Sequence, residues 1–290
     1  MQYLVYLIFR WNVFLFRLMP FRLVYLLSDM VYFFLYHVAR YRTEVVTRNL
    51  KASFPEKSEK ELTRIKRRFY HHLCDVLMES VKVYHIPAEK LSKRYRFINP
   101  ELPDSYADKG ISMICVAGHY NNWEWGGIAS AAQLKHRSIG FYKPLSNPYI
   151  DGFIAKHRAA GKNRVASIER TQHTFQEYAD APSIFYMIAD QSPPSARMVH
   201  WCTFLNQDTA VISGPDRYAR IMGMPVIYAE IAKIRRGYYE VEFKLLSEDP
   251  KSAKTGEITA KYMNALENSI KNNPPFYLWS HRRWKHKREK

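Results

Sequence analysis

The sequence predicts an α/β fold, a mixed central sheet flanked by helices, carried behind an N-terminal hydrophobic helical membrane anchor. Three observations lead there. Apolar runs of strand length recur from residue 111 onward, helical-period segments lie between them, and aromatic residues crowd the first 41 positions. At 47% hydrophobic over 290 residues, the chain has ample material for a core, which excludes a disordered or low-complexity class. Lys and Arg total 44 against 27 Asp and Glu, a net charge of +17, so the natural partners are anionic: lipid headgroups, nucleic acid or an acidic protein. Cys74, Cys115 and Cys202 have no CxxC spacing and suggest neither a disulfide framework nor a zinc cluster.

Thirteen of the 43 aromatic residues fall between Met1 and Tyr41. Arg10, Arg17, Arg22 and Asp29 interrupt this apolar stretch, so it makes a poor simple spanning helix, and it lacks the cleavage site of a secretory signal. Aromatics mixed with arginines suit the headgroup boundary of an anionic membrane surface. Pro20 is expected to break the segment into two helices. The division is therefore residues 1–40 as a membrane-associating segment and 41–290 as the catalytic domain.

Further on, Ser58-Glu59-Lys60-Glu61 reads as a helix start, and Ile65, Phe69, Leu73, Val76, Leu77 and Val81 continue at helical spacing. His71, His72, Asp75 and Glu79 share that helix. A solvated polar stripe is the commoner meaning of such a set, and no metal is assigned. Strands are expected at Ile111–Val116, Ser138–Tyr142, Ile184–Ala189, Met224–Ile231 and Tyr238–Leu246, with helices such as Trp125–Leu134 and Tyr149–Ala160 between them. In such sheets, functional residues gather beyond the carboxyl ends of strands, which directs attention to Gly118-His119 and Ala189-Asp190-Gln191.

No G-x-G-x-x-G, Walker A, G-x-S-x-G or H-E-x-x-H is present, which removes most support for dinucleotide enzymes, P-loop NTPases, standard α/β-hydrolases and zincins. What remains is His119-Tyr120-Asn121-Asn122-Trp123-Glu124, and His119 alone among the 11 histidines has an acid five positions on. A hydroxyl is a weak nucleophile until a base removes its proton, and histidine can do so near neutral pH. A carboxylate on the other ring nitrogen fixes the tautomer and stabilises the imidazolium. His119 is thus the candidate base, with Glu124 as its orienting partner.

Gly118 to Glu124 resembles the catalytic box of bacterial lysophospholipid acyltransferases, and more narrowly of the late lauroyl/myristoyl acyltransferases of lipid A biosynthesis. Further blocks are similar to that family in order along the chain. These are Tyr41-Arg42 through Arg48-Asn49-Leu50 and Phe54-Pro55, Tyr142-Lys143-Pro144-Leu145, Asn147-Pro148-Tyr149-Ile150, Arg158, Ala189-Asp190-Gln191, Ser213-Gly214-Pro215, and Leu278 to Lys285. Ser192-Pro193-Pro194-Ser195 and Asp216 depart from the family pattern and leave the acyl chain and acceptor open.

The resemblance implies an O-acyltransferase at the cytoplasmic face of a bacterial inner membrane. It would move a fatty acyl group from an acyl carrier protein or CoA thioester to a hydroxyl of a lipid acceptor, a lipid A precursor first, with another lysolipid or an aminolipid as the alternative. His119 and Glu124 would be catalytic. Arg158 would bind an anionic headgroup or steady the oxyanion, and Asn122, Asp190, Gln191 and Gly214 would contact substrate or support the site. No cofactor is implied. Two other classes stay open: a basic nucleic-acid-binding protein, for which no recognition motif is found, and a thioesterase in which water replaces the hydroxyl.

Overall fold

A computed structural model of the chain describes residues 1–159, 161–195 and 199–288. Helices α1 (Gln2–Leu18) and α2 (Phe21–Phe33) open it, followed by α3 (Thr43–Ser53), α4 (Glu59–Lys82) and the short α5 (Ala88–Leu91). Strand β1 (Tyr95–Phe97), helix α6 (Glu101–Ala107) and strand β2 (Met113–Ala117) lead to α7 (Trp123–Ala129). Next come β3 (Arg137–Tyr142), α8 (Pro148–Arg158), β4 (Arg164–Ser167), α9 (Thr171–Glu177) and β5 (Ser183–Ile188). Strands β6 (Val199–Phe204) and β7 (Gln207–Ile212) form a separate antiparallel hairpin. Helix α10 (Gly214–Met222), the long strands β8 (Val226–Arg235) and β9 (Tyr238–Ser247), and α11 (Glu257–Asn272) follow.

The expected α/β architecture is what forms. Seven strands pair in the order β1-β9-β8-β2-β5-β3-β4, parallel throughout except for the antiparallel β8–β9 ribbon. Strand β2 lies in the middle and is buried along its whole length. Met113, Cys115 and Ala117 enter one core with Trp125, Ile128 and Ile227, while Ile114 and Val116 enter the other with Tyr262, Leu266 and Phe69. Strand side chains alternate between faces, so a strand apolar at every position needs helices on both sides of the sheet.

The start of α4 follows the expected capping box: the Ser58 hydroxyl accepts from the Glu61 amide, and the Glu61 carboxylate accepts from the Ser58 amide. The interior of that helix departs from expectation. His72, Asp75 and Glu79 are not a solvated stripe but are buried, because α2 and the β8–β9 turn cover them. Pro20 separates α1 from α2 as expected. Strands β1 and β4 and the β6–β7 hairpin were not anticipated, and the expected helix over Tyr149–Ala160 ends at Arg158, with Ala160 outside the described residues.

Both N-terminal helices are seated on the rest of the protein. Tyr3 and Phe9 of α1 meet Tyr149 and Phe153 of α8 edge-on, with ring centroids 5.2 and 5.4 Å apart. The Lys82 ammonium donates to the carbonyls of Phe16 (2.7 Å), Arg17 (3.2 Å) and Met19 (2.7 Å), satisfying acceptors that the end of α1 leaves free. On α2, the Ser28 hydroxyl donates to Asp75 (2.8 Å), and the Arg236 guanidinium bridges Asp29 and Asp75, 2.6 Å from each. Their outer faces expose Leu4, Ile8, Trp11, Leu26, Met30 and Phe33 to solvent. By length and apolarity the continuous helical stretch Phe21–Val38 could reach across a bilayer, despite the charges that argued against it. Its inward face, however, is bonded to α4 through Tyr25 and Ser28 and to Arg236 of the β8–β9 turn through Asp29.

Candidate active site

The site begins where β2 ends. Gly118 follows Ala117, and a Cβ there would stand 2.6 Å from Leu266 Cδ1 on α11, so only glycine lets the strand end pass this close to the helix. His119 comes next, its carbonyl accepting from the Leu278 amide (3.1 Å). Asn121 adopts φ +55°, a left-handed conformation that asparagine tolerates better than most residues, and it turns the chain away from the sheet. Its amide donates to the Phe276 carbonyl (2.9 Å), and its side chain donates to the Ile231 carbonyl (2.6 Å). Asn122 then caps α7, its Oδ1 accepting from the Trp125 amide (3.1 Å). The expected strand–turn–helix at the histidine is present.

The His119 ring is not partnered as expected. Its Nδ1 lies 2.6 Å from Oδ1 of Asp190, while the Glu124 carboxylate is paired with Arg158 at 2.5 Å. The carboxylate beside the ring is therefore Asp190 and not Glu124, for a topological reason. Ala117 of β2 pairs with Ile188 of the adjacent parallel strand β5, so His119 and Asp190 each stand two residues beyond that pair, side by side. Five residues of turn and helix carry Glu124 instead toward the last turn of α8, where it meets Arg158.

The electrostatics suit a base. Burial disfavours a charged imidazole, but the charge and hydrogen bond of Asp190, with the field of Glu124, outweigh it and leave the ring pKa raised. Asp190, 1% exposed, would be raised by burial, yet the charge and hydrogen bonds of His119 and the charge of Arg283 hold it below the usual carboxylate range. An ionised Asp190 makes Nδ1 the protonated nitrogen and leaves the lone pair on Nε2. Facing that lone pair is the Gln191 amide nitrogen, 3.2 Å away. The Trp123 ring meets the imidazole edge-on at 5.0 Å, flanking one side.

The remaining expected site residues divide. Asp190, Gln191 and His119 are together; Glu124 and Arg158 form a half-buried pair nearby. Gly214 opens α10, where a Cβ on it would lie 3.8 Å from Cε of Met187, on the strand that leads to Asp190. Asn122, expected to contact substrate or support the site, is fully buried, with Nδ2 donating to Glu79 (2.7 Å) and Oδ1 used in the cap. Asp216, the departure after Gly-Pro, is structural. It is buried and accepts from the amides of Gly256, Ile258 and Thr259 at the start of α11. The closing segment wraps behind the pair: Ser192 donates its amide to His281 Nε2 (3.0 Å), and Asn49 donates to the carbonyls of Trp279 and His281.

Sequence similarity agrees with this geometry. A family model described as bacterial lipid A biosynthesis acyltransferase matches residues 1–286. The chain belongs to that family. This acyltransferase is also similar to the lipid A biosynthesis lauroyltransferase of Escherichia coli (strain K12), at 25% identity over 248 residues, which cover 84% of the chain and 79% of that protein.

Two groups of this acyltransferase escaped the sequence: Asp190 as the partner of the ring, and Glu79 beneath the turn. Position beyond a strand end was a signal for the first, whereas the second carried none that separated it from a surface acid. Since Asp190 raises the ring pKa, Asp190→Asn is expected to lower it, as read from the ring-carbon chemical shifts of His119 in an NMR titration. An unchanged midpoint would place the ring's controlling charge elsewhere.

Proposed function

We propose that this acyltransferase moves a fatty acyl group from a thioester to a hydroxyl of a lipid A precursor, with His119 as general base and Asp190 as its orienting carboxylate. The observation that carries the proposal is the His119–Asp190 pair at the ends of two adjacent central strands, in a chain whose family acts in lipid A biosynthesis. The acceptor hydroxyl would take the place now held by the Gln191 amide, donating to Nε2. His119 removes that proton as the oxygen attacks the thioester carbonyl, and a C–O bond forms. The tetrahedral oxyanion collapses, the C–S bond breaks, and the imidazolium returns the proton to the departing thiolate. The Asp190 charge stabilises the imidazolium between those two transfers.

Arg158 and Glu124 have a different part in this scheme. The guanidinium, fixed by Glu124, is the candidate for an anionic headgroup or for the oxyanion, and Glu124 acts by holding it. Gln191 stands at the approach to the base, beside Nε2. The lipid surface itself would be met by the outer faces of α1 and α2, whose exposed apolar side chains stand beside Arg10, Arg17 and Arg22. Held through Lys82, Arg236 and Tyr25, these helices lie on the bilayer rather than cross it. On this reading the enzyme works at the cytoplasmic leaflet of the inner membrane, where an acyl carrier protein or CoA donor is available.

A basic C-terminal segment suits an acidic donor such as acyl carrier protein. Arg282, Lys285, Lys287 and Arg288 are exposed there, whereas Arg283 is buried and donates to the Ala210 carbonyl (2.8 Å), so it takes no part in steering. Glu289 and Lys290 lie outside the described residues.

His119→Ala is expected to lower acyl transfer to lipid A precursor by about two orders of magnitude or more with either thioester donor, while the variant stays folded. Near wild-type turnover in the folded variant would remove His119 from the mechanism. Because the base acts in its neutral form, wild-type kcat should fall as pH drops through the raised pKa of His119. A second expectation concerns the surface: Leu26→Glu and Phe33→Glu together should reduce co-sedimentation with anionic phospholipid vesicles without changing the melting temperature. Undiminished binding would move the lipid-facing surface away from α2.

A further inference from the structure

Glu79 takes no part in the chemistry above, yet it is built into the molecule at four points. It is fully buried near the end of α4. Its Oε1 accepts from the Tyr25 hydroxyl of α2 (2.8 Å), and its Oε2 accepts from Asn122 Nδ2 (2.7 Å) and from the Tyr239 hydroxyl of β9 (2.9 Å). Its backbone carbonyl accepts from Trp125 Nε1 (3.1 Å). One side chain therefore joins the lipid-facing α2 to the turn that carries His119. Three donors converge on the carboxylate, the pattern of an ionised acceptor.

A buried carboxylate without a counter-charge is an expensive way to fill a gap, and a leucine or glutamine would cost less if packing were its sole purpose. The charged groups nearby do not compensate it. Asp75, one turn earlier on α4, adds a second negative field, and Arg94 acts on the Tyr25 side of the cluster. Burial and Asp75 push the Glu79 pKa up to about 7 against the three donors that hold it down.

We propose that Glu79 is a positioning residue for the acyl transfer reaction: it holds Asn122, and through it the His119 turn, in register with the seated α2 helix. The proposal rests on His119 being the base. Asn122 divides its amide between Glu79 and the α7 cap, so the carboxylate fixes the rotamer that closes the turn. Replacing it with an amide leaves one acceptor oxygen where the three donors now share two, and so loosens the hold on Asn122. Misplacing the base by a fraction of an ångström then lowers kcat while leaving substrate binding in place.

The test uses the full-length, detergent-solubilised enzyme with an acyl thioester and lipid A precursor. kcat and KM are measured against pH for wild type, Glu79→Gln, Asn122→Ser and the double variant. Serine keeps an oxygen for the α7 cap and removes the amide. Each single variant should lose about tenfold or more in kcat with KM within about twofold, and the double should be no worse than the worse single. The acid limb of wild type should follow two protons, from His119 and Glu79, and that of each variant one. A wild-type kcat and limb in Glu79→Gln, or losses that multiply in the double, would overturn the proposal. If Glu79→Gln does not fold, Asn122→Ser alone decides: an unchanged two-proton limb overturns it. Failure of the base assignment reads differently, as turnover retained in His119→Ala with the Glu79–Asn122 coupling intact.

Discussion

Because Ala117 pairs with Ile188 in the parallel ladder between β2 and β5, His119 and Asp190 emerge side by side from the same edge of the sheet. Everything at the site depends on that register. A slip of one residue would turn the side chain beyond one strand to the opposite face and part the ring from its carboxylate. The register is in turn held by the cores on both faces of β2, and by Gly118, which lets α11 close over the strand end. The chemistry therefore rests on backbone pairing between segments 71 residues apart.

A second dependence runs outward from the site. Charged and polar residues of α4 that face inward do so because α2 and the β8–β9 turn complete their hydrogen bonds. Asp75 has Ser28, Arg236 and Lys233 for partners; Glu79 has Tyr25, Asn122 and Tyr239. Buried charges with incomplete partners cost several kcal/mol, on the order of the stability of a whole domain, so α2 is needed to complete the bonding of α4. The same helices whose outer faces are apolar are bonded, by way of α4, to the turn that carries His119.

What the sequence made legible was local. The His119 turn lies within a few residues, and the strand end, its glycine and the following helix could be read locally, whereas the left-handed Asn121 and the capping Asn122 emerge only in the structure. The capping box at Ser58 and the break at Pro20 are local in the same sense. The main strands were legible because buried parallel strands are apolar throughout. Asp190 could be placed at a strand end but not beside the histidine, since strand order is not written in the spacing. Glu124 is the nearer acid in sequence, yet its carboxylate is paired with Arg158 while Asp190 stands beside the ring. His72, Asp75 and Glu79 look like a solvated face until the covering helix is known. The β6–β7 hairpin mixes His, Trp, Cys and Thr without strong alternation, and β1 is three residues long, too short to leave a pattern.

The central claim, that Asp190 rather than Glu124 governs the base, is tested most directly by comparing the pH dependence of kcat in Asp190→Asn and Glu124→Gln, with lipid A precursor as acceptor. The account predicts that Asp190→Asn loses about three orders of magnitude or more in kcat and shifts its acid limb to lower pH, because the ring loses the charge that raises its pKa. Glu124→Gln should chiefly raise KM for the acceptor, through a loosened Arg158, and move the limb to lower pH by less than Asp190→Asn does, since its field is the smaller contribution to the ring pKa. The reverse result, a displaced limb and collapsed kcat in Glu124→Gln with little change in Asp190→Asn, would contradict it.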